Sequence, residues 1–147
     1  MESFTTSAAF QTYAICSVIL ALKMLASAAY TARQRSVVGG YVNKEDARFG
    51  GEGVAAEAME KPEVAHALRI QRNDLENIPV FWALGLLYVL TGASAIGAAA
   101  YFWTFTVARV AHTFFYIRQA QPGRALLWLL GLLCLIGMSV QIIWRSL

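Results

Sequence analysis

The alternation of hydrophobic and polar positions divides the chain into four long apolar stretches joined by polar connections. The stretches cover about 10–30, 78–90, 95–116 and 125–144, and a polar helical pattern extends the second one back to residue 64. A helix needs ~20 mainly apolar residues to cross a bilayer. The first, third and fourth stretches meet this length, and the second meets it with its polar half included. We therefore predict a single all-α domain over 1–147, an integral membrane bundle of four transmembrane helices.

The connections between the stretches differ in length. Residues 36–62 form the one long hydrophilic segment, which is rich in glycine, carries mixed charges and is too short for a domain of its own. We expect a loop or cap there. A tight turn around Gly92 is predicted to join helices two and three, and Pro122 should stand just ahead of the fourth helix.

Composition and charge support a membrane protein with a defined orientation. Of the 147 residues, 58% are hydrophobic and only 14% are charged, which is unusual for a soluble domain of this size. Basic residues cluster around the first connection (Arg33, Arg35, Lys44, Arg48, Lys61, Arg69, Arg72) and the third (Arg118, Arg124). The positive-inside rule places both connections in the cytoplasm and both termini on the opposite side. The net charge of +3 reflects this asymmetry and does not indicate a nucleic-acid partner.

Two polar clusters interrupt the apolar helices and are the candidate binding site. Spacings of three, four and seven residues put each cluster on one helical face. Ionisable groups at membrane depth are costly and usually functional. Together the two faces suit a small, anionic ligand that makes several hydrogen bonds. The clusters are Arg69, Arg72, Asn73 and Glu76 on the second helix, and Arg109, His112 and Tyr116 on the third.

Structural roles compete with the binding role for the same residues. Arg69 stands near the predicted cytoplasmic end of its helix, from which its side chain can reach the headgroups. The first cluster can act as a clamp between helices, with Arg72 and Glu76 as an i,i+4 ion pair. The second cluster can be helix packing, with its imidazole and phenol bonded to neighbouring groups.

Other notable residues are assigned structural roles. Lys23 lies near the middle of the first helix, where pairing with a carboxylate such as Asp74 is expected. Cys16 and Cys134 lie within apolar helices without CxxC spacing, so buried free thiols are expected. With only two histidines in the chain, we predict no metal site.

Four motifs resemble the family of membrane-associated proteins in eicosanoid and glutathione metabolism (MAPEG). They are Lys23-Met24 with the segment 43–47, the run 69–77, the run 108–113 ending at Tyr116, and the run 121–124. The resemblance spans nearly the whole chain. It implies a homotrimer of four-helix bundles that binds glutathione between neighbouring protomers, towards the cytoplasmic side, with membrane lipid around it.

The resemblance also implies roles for individual residues. Arg124 would face the sulfur of glutathione as the catalytic cation, and Arg35 would meet a glutathione carboxylate. Arg69 and Arg109 would be supporting contacts or an ion-pair shell. Asp46 aligns with a carboxylate proposed to matter in catalysis, although a role as a helix-capping or loop acid is equally open. The tripeptide itself would be held by Arg72, Asn73, Glu76, His112 and Tyr116, and Ala125 and Trp128 would adjoin the sulfur.

The motifs combine features of two branches of that family. Arg72 and the run 109–113 resemble the prostaglandin E synthases, whereas 74–77 and Gln121-Pro122 resemble the microsomal glutathione transferases. The synthase pattern has a serine after the arginine at the thiol and a tyrosine three residues later, where this chain has Ala125 and Trp128. We therefore expect a glutathione transferase, with glutathione peroxidase activity as an extension, acting on a lipophilic electrophile or lipid peroxide. The alternatives are a prostaglandin E synthase-like endoperoxide isomerase and a non-catalytic lipid-binding member.

Overall fold

The computed structural model describes residues 4–51 and 53–147 of the chain. Residues 1–3, which belong to the terminus expected opposite the cytoplasm, and Glu52, within the expected loop, lie outside the described residues. Two single 3-10 turns occur at Phe4–Thr6 and Arg48–Gly50, and no strand is present in the described part of the chain. The α-helices are α1 (Ala8–Val38), α2 (Lys44–Ala47), α3 (Pro62–Leu90), α4 (Ala95–Ile117) and α5 (Gly123–Ser146).

The ends of the long helices follow the local chemistry of the sequence. The hydroxyls of Ser7 and Ser94 accept hydrogen bonds from backbone N–H groups three residues later, which caps α1 and α4. Gly39 ends α1 in the left-handed region at a φ of 64°, which glycine adopts without steric cost. Pro122 directly precedes α5, as the sequence predicted.

The first connection is more structured and shorter than the expected loop over 36–62. Helix α1 continues beyond its apolar stretch to Val38, because polar residues such as Arg33 and Gln34 are good helix formers on an exposed face. Within the connection, α2 and the 3-10 turn after it form a short helical segment. Hydropathy marks the apolar part of a helix, and the helix itself extends past it.

The four long helices pack around an aromatic core. Helix α1 packs against α3 and α4, and α5 packs against α4 and α3. Phe81 and Phe105 stack with ring centroids 4.6 Å apart, and Phe102 meets Phe81 edge to face at 5.6 Å. Cys16 and Cys134 are buried free thiols beside this core, as expected.

Large apolar surfaces remain uncovered by the rest of the chain. Leu126, Leu133, Val140 and Ile143 on α5 are each more than half exposed. Among the described residues, α1 and α5 are candidate membrane spans by length and composition. The core helix of a soluble protein would bury such side chains, so their exposure favours contact with lipid or with a further protein surface.

Candidate functional site

A cavity of about 640 Å³ opens at the end of the helices where α1 and α4 finish and α3 and α5 begin. This volume falls within the ~300–1,000 Å³ usual for small-molecule sites. All four long helices contribute to its wall, and the turn between α4 and α5 closes one side. The lining residues are Tyr30, Gln34, Pro62, Glu63, His66, Arg69, Tyr116, Ile117, Gln119, Gln121 and Arg124.

Tyr116 is the residue around which the cavity is arranged. The rings of His66 and His112 each lie with their centroids 5.5 Å from that of Tyr116. The guanidinium carbon of Arg124 lies 4.6 Å from the centre of the same ring, a cation–π contact. The Tyr116 ring on α4 therefore contacts residues of both α3 and α5.

The cavity carries two guanidinium groups without an ion-pair partner among the described residues. In the part of the chain that the structure describes, no carboxylate oxygen lies within 4 Å of a side-chain nitrogen of Arg69 or Arg124. With the Gln121 amide oriented so that its oxygen faces Arg124, that oxygen accepts hydrogen bonds from Nε at 3.1 Å and Nη2 at 2.8 Å. The cavity is thus suited to an anion, and Glu63 adds a carboxylate that suits an ammonium group.

About one helical turn deeper, charged residues form a buried network. Arg109 is completely buried, donates hydrogen bonds to the side-chain and backbone oxygens of Asn73, and lies 3.6 Å from Asp74. Asp74 also accepts hydrogen bonds from Lys23 and from Ser27, the latter at 2.7 Å. The predicted pairing of Lys23 with Asp74 is confirmed. The network ties α1, α3 and α4 together beneath the cavity.

Several predicted site residues lie outside this cavity. Arg72 and Glu76 form the predicted i,i+4 ion pair at 3.0 Å, on an exposed face of α3 with side chains 80% and 56% exposed. Arg35 pairs with Glu60 at 2.7 Å. Asp46 accepts a hydrogen bond from Asn43 at 3.0 Å within the first connection.

Ala125 and Trp128 are exposed on α5. Neither residue lines the cavity. Of the candidate residues predicted from the sequence, the single chain therefore brings Arg69, Tyr116 and Arg124 together at the cavity, with His112 against Tyr116 and with Asn73 and Arg109 below. The others lie outside the cavity.

Sequence reasoning missed several cavity residues. Glu63 and His66 precede Arg69 at spacings of three, so they share its helical face, and this spacing was a usable signal. Tyr30 and Gln34 are likewise one turn apart on α1. Gln121 belongs to the run 121–124 that the motifs mark, whereas no sequence signal marks Gln119, because its position depends on how the turn between α4 and α5 folds.

Comparison with known proteins gives consistent results over almost the entire chain. The family model described as "MAPEG family" matches residues 13–144. Human prostaglandin E synthase is 34% identical over 143 residues, covering 96% of this chain and 92% of the relative. The bovine prostaglandin E synthase is 33% identical over 136 residues, covering 91% and 87%. Rat microsomal glutathione S-transferase 1 is 36% identical over 142 residues, covering 95% and 87%.

Proposed function

The chain belongs to the MAPEG family, and from this premise we propose that it is a membrane-bound glutathione transferase. It activates the thiolate of glutathione for attack on lipophilic electrophiles, and reduction of lipid peroxides is a natural extension of the same chemistry. Both prostaglandin E synthase and glutathione transferase relatives cover most of the chain at similar identity, so the choice between activities rests on the site itself.

The observation that carries the proposal is the position of Arg124. Its guanidinium lies over the Tyr116 ring at the cavity and has no carboxylate partner within 4 Å among the described residues. A free thiol has a pKa of about 8.5, and only the thiolate is the strong nucleophile. A fixed guanidinium beside the sulfur favours the thiolate, which can then attack an electrophilic carbon or a peroxide oxygen.

The remaining groups suit the rest of a glutathione molecule, which carries two carboxylates, an ammonium and two amides. Arg69 is available for one carboxylate, and Glu63 for the ammonium. Tyr116 and His112 supply hydrogen-bonding groups next to Arg124. We assign Asn73 and Arg109 a supporting role beneath the ligand, because each already bonds to the other.

We propose that neighbouring copies complete the site in a homotrimer of four-helix bundles. Arg35, Arg72 and Glu76 lie outside the cavity of one chain, and so do Asp46, Ala125 and Trp128. The exposed apolar faces of α1 and α5 provide surface for lipid and for protein contacts. In this arrangement the protein is multi-pass, with the glutathione site towards the cytoplasm and the termini on the opposite side, and apolar second substrates arrive through the bilayer.

A prostaglandin E synthase-like isomerase is the second candidate, favoured by the 34% identity to the human synthase over nearly the full length of both chains. Ala125 argues against it, because an alanine has no hydroxyl to assist the isomerisation. A non-catalytic lipid-binding protein is a third candidate. A purely lipid-binding role gives no reason for two unpaired guanidinium groups at a polar cavity.

Calorimetric titration of the purified protein with glutathione and with S-methylglutathione tests the proposal. Both ligands should bind at the same site, and only glutathione should produce the ultraviolet absorbance of a thiolate near neutral pH. Saturable binding without a thiolate would show that the protein binds glutathione but would contradict the transferase activity. Absence of binding to either ligand would contradict any glutathione-dependent activity.

A further inference from the structure

His66 is the histidine of the cavity to which the proposed function assigns no role. It lies in the second turn of α3, its ring faces that of Tyr116 at 5.5 Å, and it lines the cavity. Its Nε2 is buried and has no hydrogen-bond partner within the described chain. A buried polar nitrogen without a partner costs free energy, and among the described residues with such an unpartnered side-chain atom His66 is the one that lines the cavity, which suits a group that bonds to a ligand.

The ring of Tyr116 contacts both His66 and the guanidinium proposed to face the sulfur. Arg124 lies over the Tyr116 ring at 4.6 Å, and the His66 ring contacts that ring as well. A role for His66 at this position requires a sulfur that faces Arg124 to lie within hydrogen-bond reach of His66 Nε2, directly or through one water molecule. The proposed function gives this sulfur a cation and leaves open where the thiol proton goes.

We propose that His66 is a catalytic residue that accepts the thiol proton of bound glutathione through Nε2. This inference rests on the proposed transferase function. On binding, the S–H bond breaks, the electron pair stays on the sulfur beside Arg124, and an N–H bond forms at His66. When the sulfur then attacks a halonitroarene, a C–S bond forms, halide leaves with the electron pair of the C–halogen bond, and His66 returns its proton to water.

The surroundings of His66 are compatible with this exchange. Imidazole is the side chain that most often serves as a general base in enzymes. Glu63 precedes His66 by three residues on the same face of α3 and supplies a negative charge for the imidazolium. The other titratable or charged groups of the cavity are Tyr30 on α1, Arg69 on α3, Tyr116 on α4 and Arg124 on α5.

Counting protons against thiolates distinguishes transfer to His66 from release into water. The full-length protein in detergent is mixed with glutathione in weakly buffered solution near neutral pH. Absorbance reports the thiolate, and an indicator dye reports protons released. The native protein should release clearly fewer than one proton for each thiolate. His66→Gln, which keeps a polar side chain of similar reach, should release one proton for each thiolate and form it on the order of 10²-fold more slowly.

A second variant separates proton transfer from packing. His66→Phe keeps an aromatic ring against Tyr116 but has no nitrogen, so it should reproduce the proton count of His66→Gln even if its affinity for glutathione differs. One proton per thiolate in the native protein would overturn the role of His66 and leave the transferase intact. A low proton count that neither variant changes would also overturn the role of His66. Absence of any thiolate in the native protein would overturn the proposed function itself, and this inference with it.

Discussion

Arg109 and Arg124 carry the same guanidinium group in opposite surroundings. Arg109 is completely buried and bonded to Asn73 beside Asp74, so its charge is committed to holding helices together. Arg124 is half-buried at the cavity, contacts the face of Tyr116 and has no carboxylate partner among the described residues. A cation without a carboxylate partner among the described residues is available to a ligand, and for this reason we propose Arg124 as the residue that stabilises the thiolate.

The first prediction concerns the thiolate. Arg124→Ala should keep much of the affinity for glutathione, because Arg69 and the polar lining remain, but the bound thiol should have a higher pKa and give less thiolate at neutral pH. Titration of the thiolate absorbance measures this directly. Arg118→Ala is the matched control, since Arg118 is exposed, lies over Phe114 and does not line the cavity. Equal thiolate yields in native protein and Arg124→Ala would refute the assignment.

The sequence predicted which types of side chain form the site better than it predicted which of them lie together. Arg69, Tyr116 and Arg124 were candidates from spacing and motif, and they line one cavity. The spacing of Glu63, His66 and Arg69 marks one helical face, but nothing in this spacing distinguishes His66 from its two neighbours. Its significance arises from contact with Tyr116 on another helix, and such contacts between distant segments depend on packing, which periodicity does not encode.

At the scale of secondary structure, the junction between α1 and α3 depends on one carboxylate. Asp74 is buried, accepts hydrogen bonds from Lys23 and Ser27, and lies near Arg109. It is the negative charge that balances two buried cations. Burying a cation without such a partner is strongly unfavourable.

The second prediction tests this junction. Asp74→Asn should lower the free energy of unfolding by roughly 3–5 kcal/mol, because Lys23 and Arg109 lose their counter-charge. Lys23→Met should lower the free energy of unfolding by less, since Asp74 Oδ1 then still has Arg109 Nη2 at 3.6 Å. Denaturation in detergent, followed by the loss of helical circular dichroism, provides the comparison. The claim fails if Asp74→Asn is as stable as the native protein.

The third prediction concerns the exposed ion pair on α3. Glu76→Gln should weaken glutathione binding more than it weakens assembly, because Arg72 and Glu76 share a helix with Asn73 and are proposed to face a ligand at the junction of two copies. Glu57→Gln is a matched control, since it breaks another i,i+4 ion pair, with Lys61 at 3.1 Å. If Glu76→Gln binds glutathione normally while the oligomer dissociates, the pair is a structural clamp instead.

The long helices were predictable to within a few residues at most of their ends. Ala95–Ile117 and Gly123–Ser146 agree closely with the expected 95–116 and 125–144, because the turn between them bounds the end of one apolar run and the start of the next. The end of α1 and the short α2 were missed. Polar helical segments carry no strong hydrophobic period, so their extent depends on capping by residues such as Gly39.

At the scale of the whole molecule, the orientation in the membrane gives the fourth prediction. Cys16 and Cys134 are buried, so the native chain should react slowly with a membrane-impermeant maleimide. Lys44→Cys in the first connection and Ser146→Cys near the end of α5 are both at exposed positions. In sealed vesicles the two should be labelled from opposite sides, with Lys44→Cys reacting from the cytoplasmic side. Labelling of both from one side would contradict the four-span arrangement.

The proposed trimer accounts for the candidate residues that lie outside the cavity of one chain. Half of the residues that the motifs indicated face outward from the cavity, among them Arg72 and Trp128. The sequence motifs assign such residues to one site, but they do not say whether the residues meet within a chain or between chains. Exposed apolar faces on α1 and α5 leave room for both lipid and a neighbouring copy.

The fifth prediction is the most direct test of the central claim, that this chain is a glutathione transferase. The purified native protein and Ala125→Ser are assayed with glutathione against a halonitroarene, a lipid hydroperoxide and a prostaglandin endoperoxide under the same conditions. We predict that conjugation by the native protein exceeds isomerisation, because an arginine-stabilised thiolate serves conjugation and Ala125 supplies no hydroxyl. Ala125→Ser should raise isomerisation. Efficient isomerisation by the native protein, unimproved by the serine and faster than conjugation, would contradict the account and identify an endoperoxide isomerase.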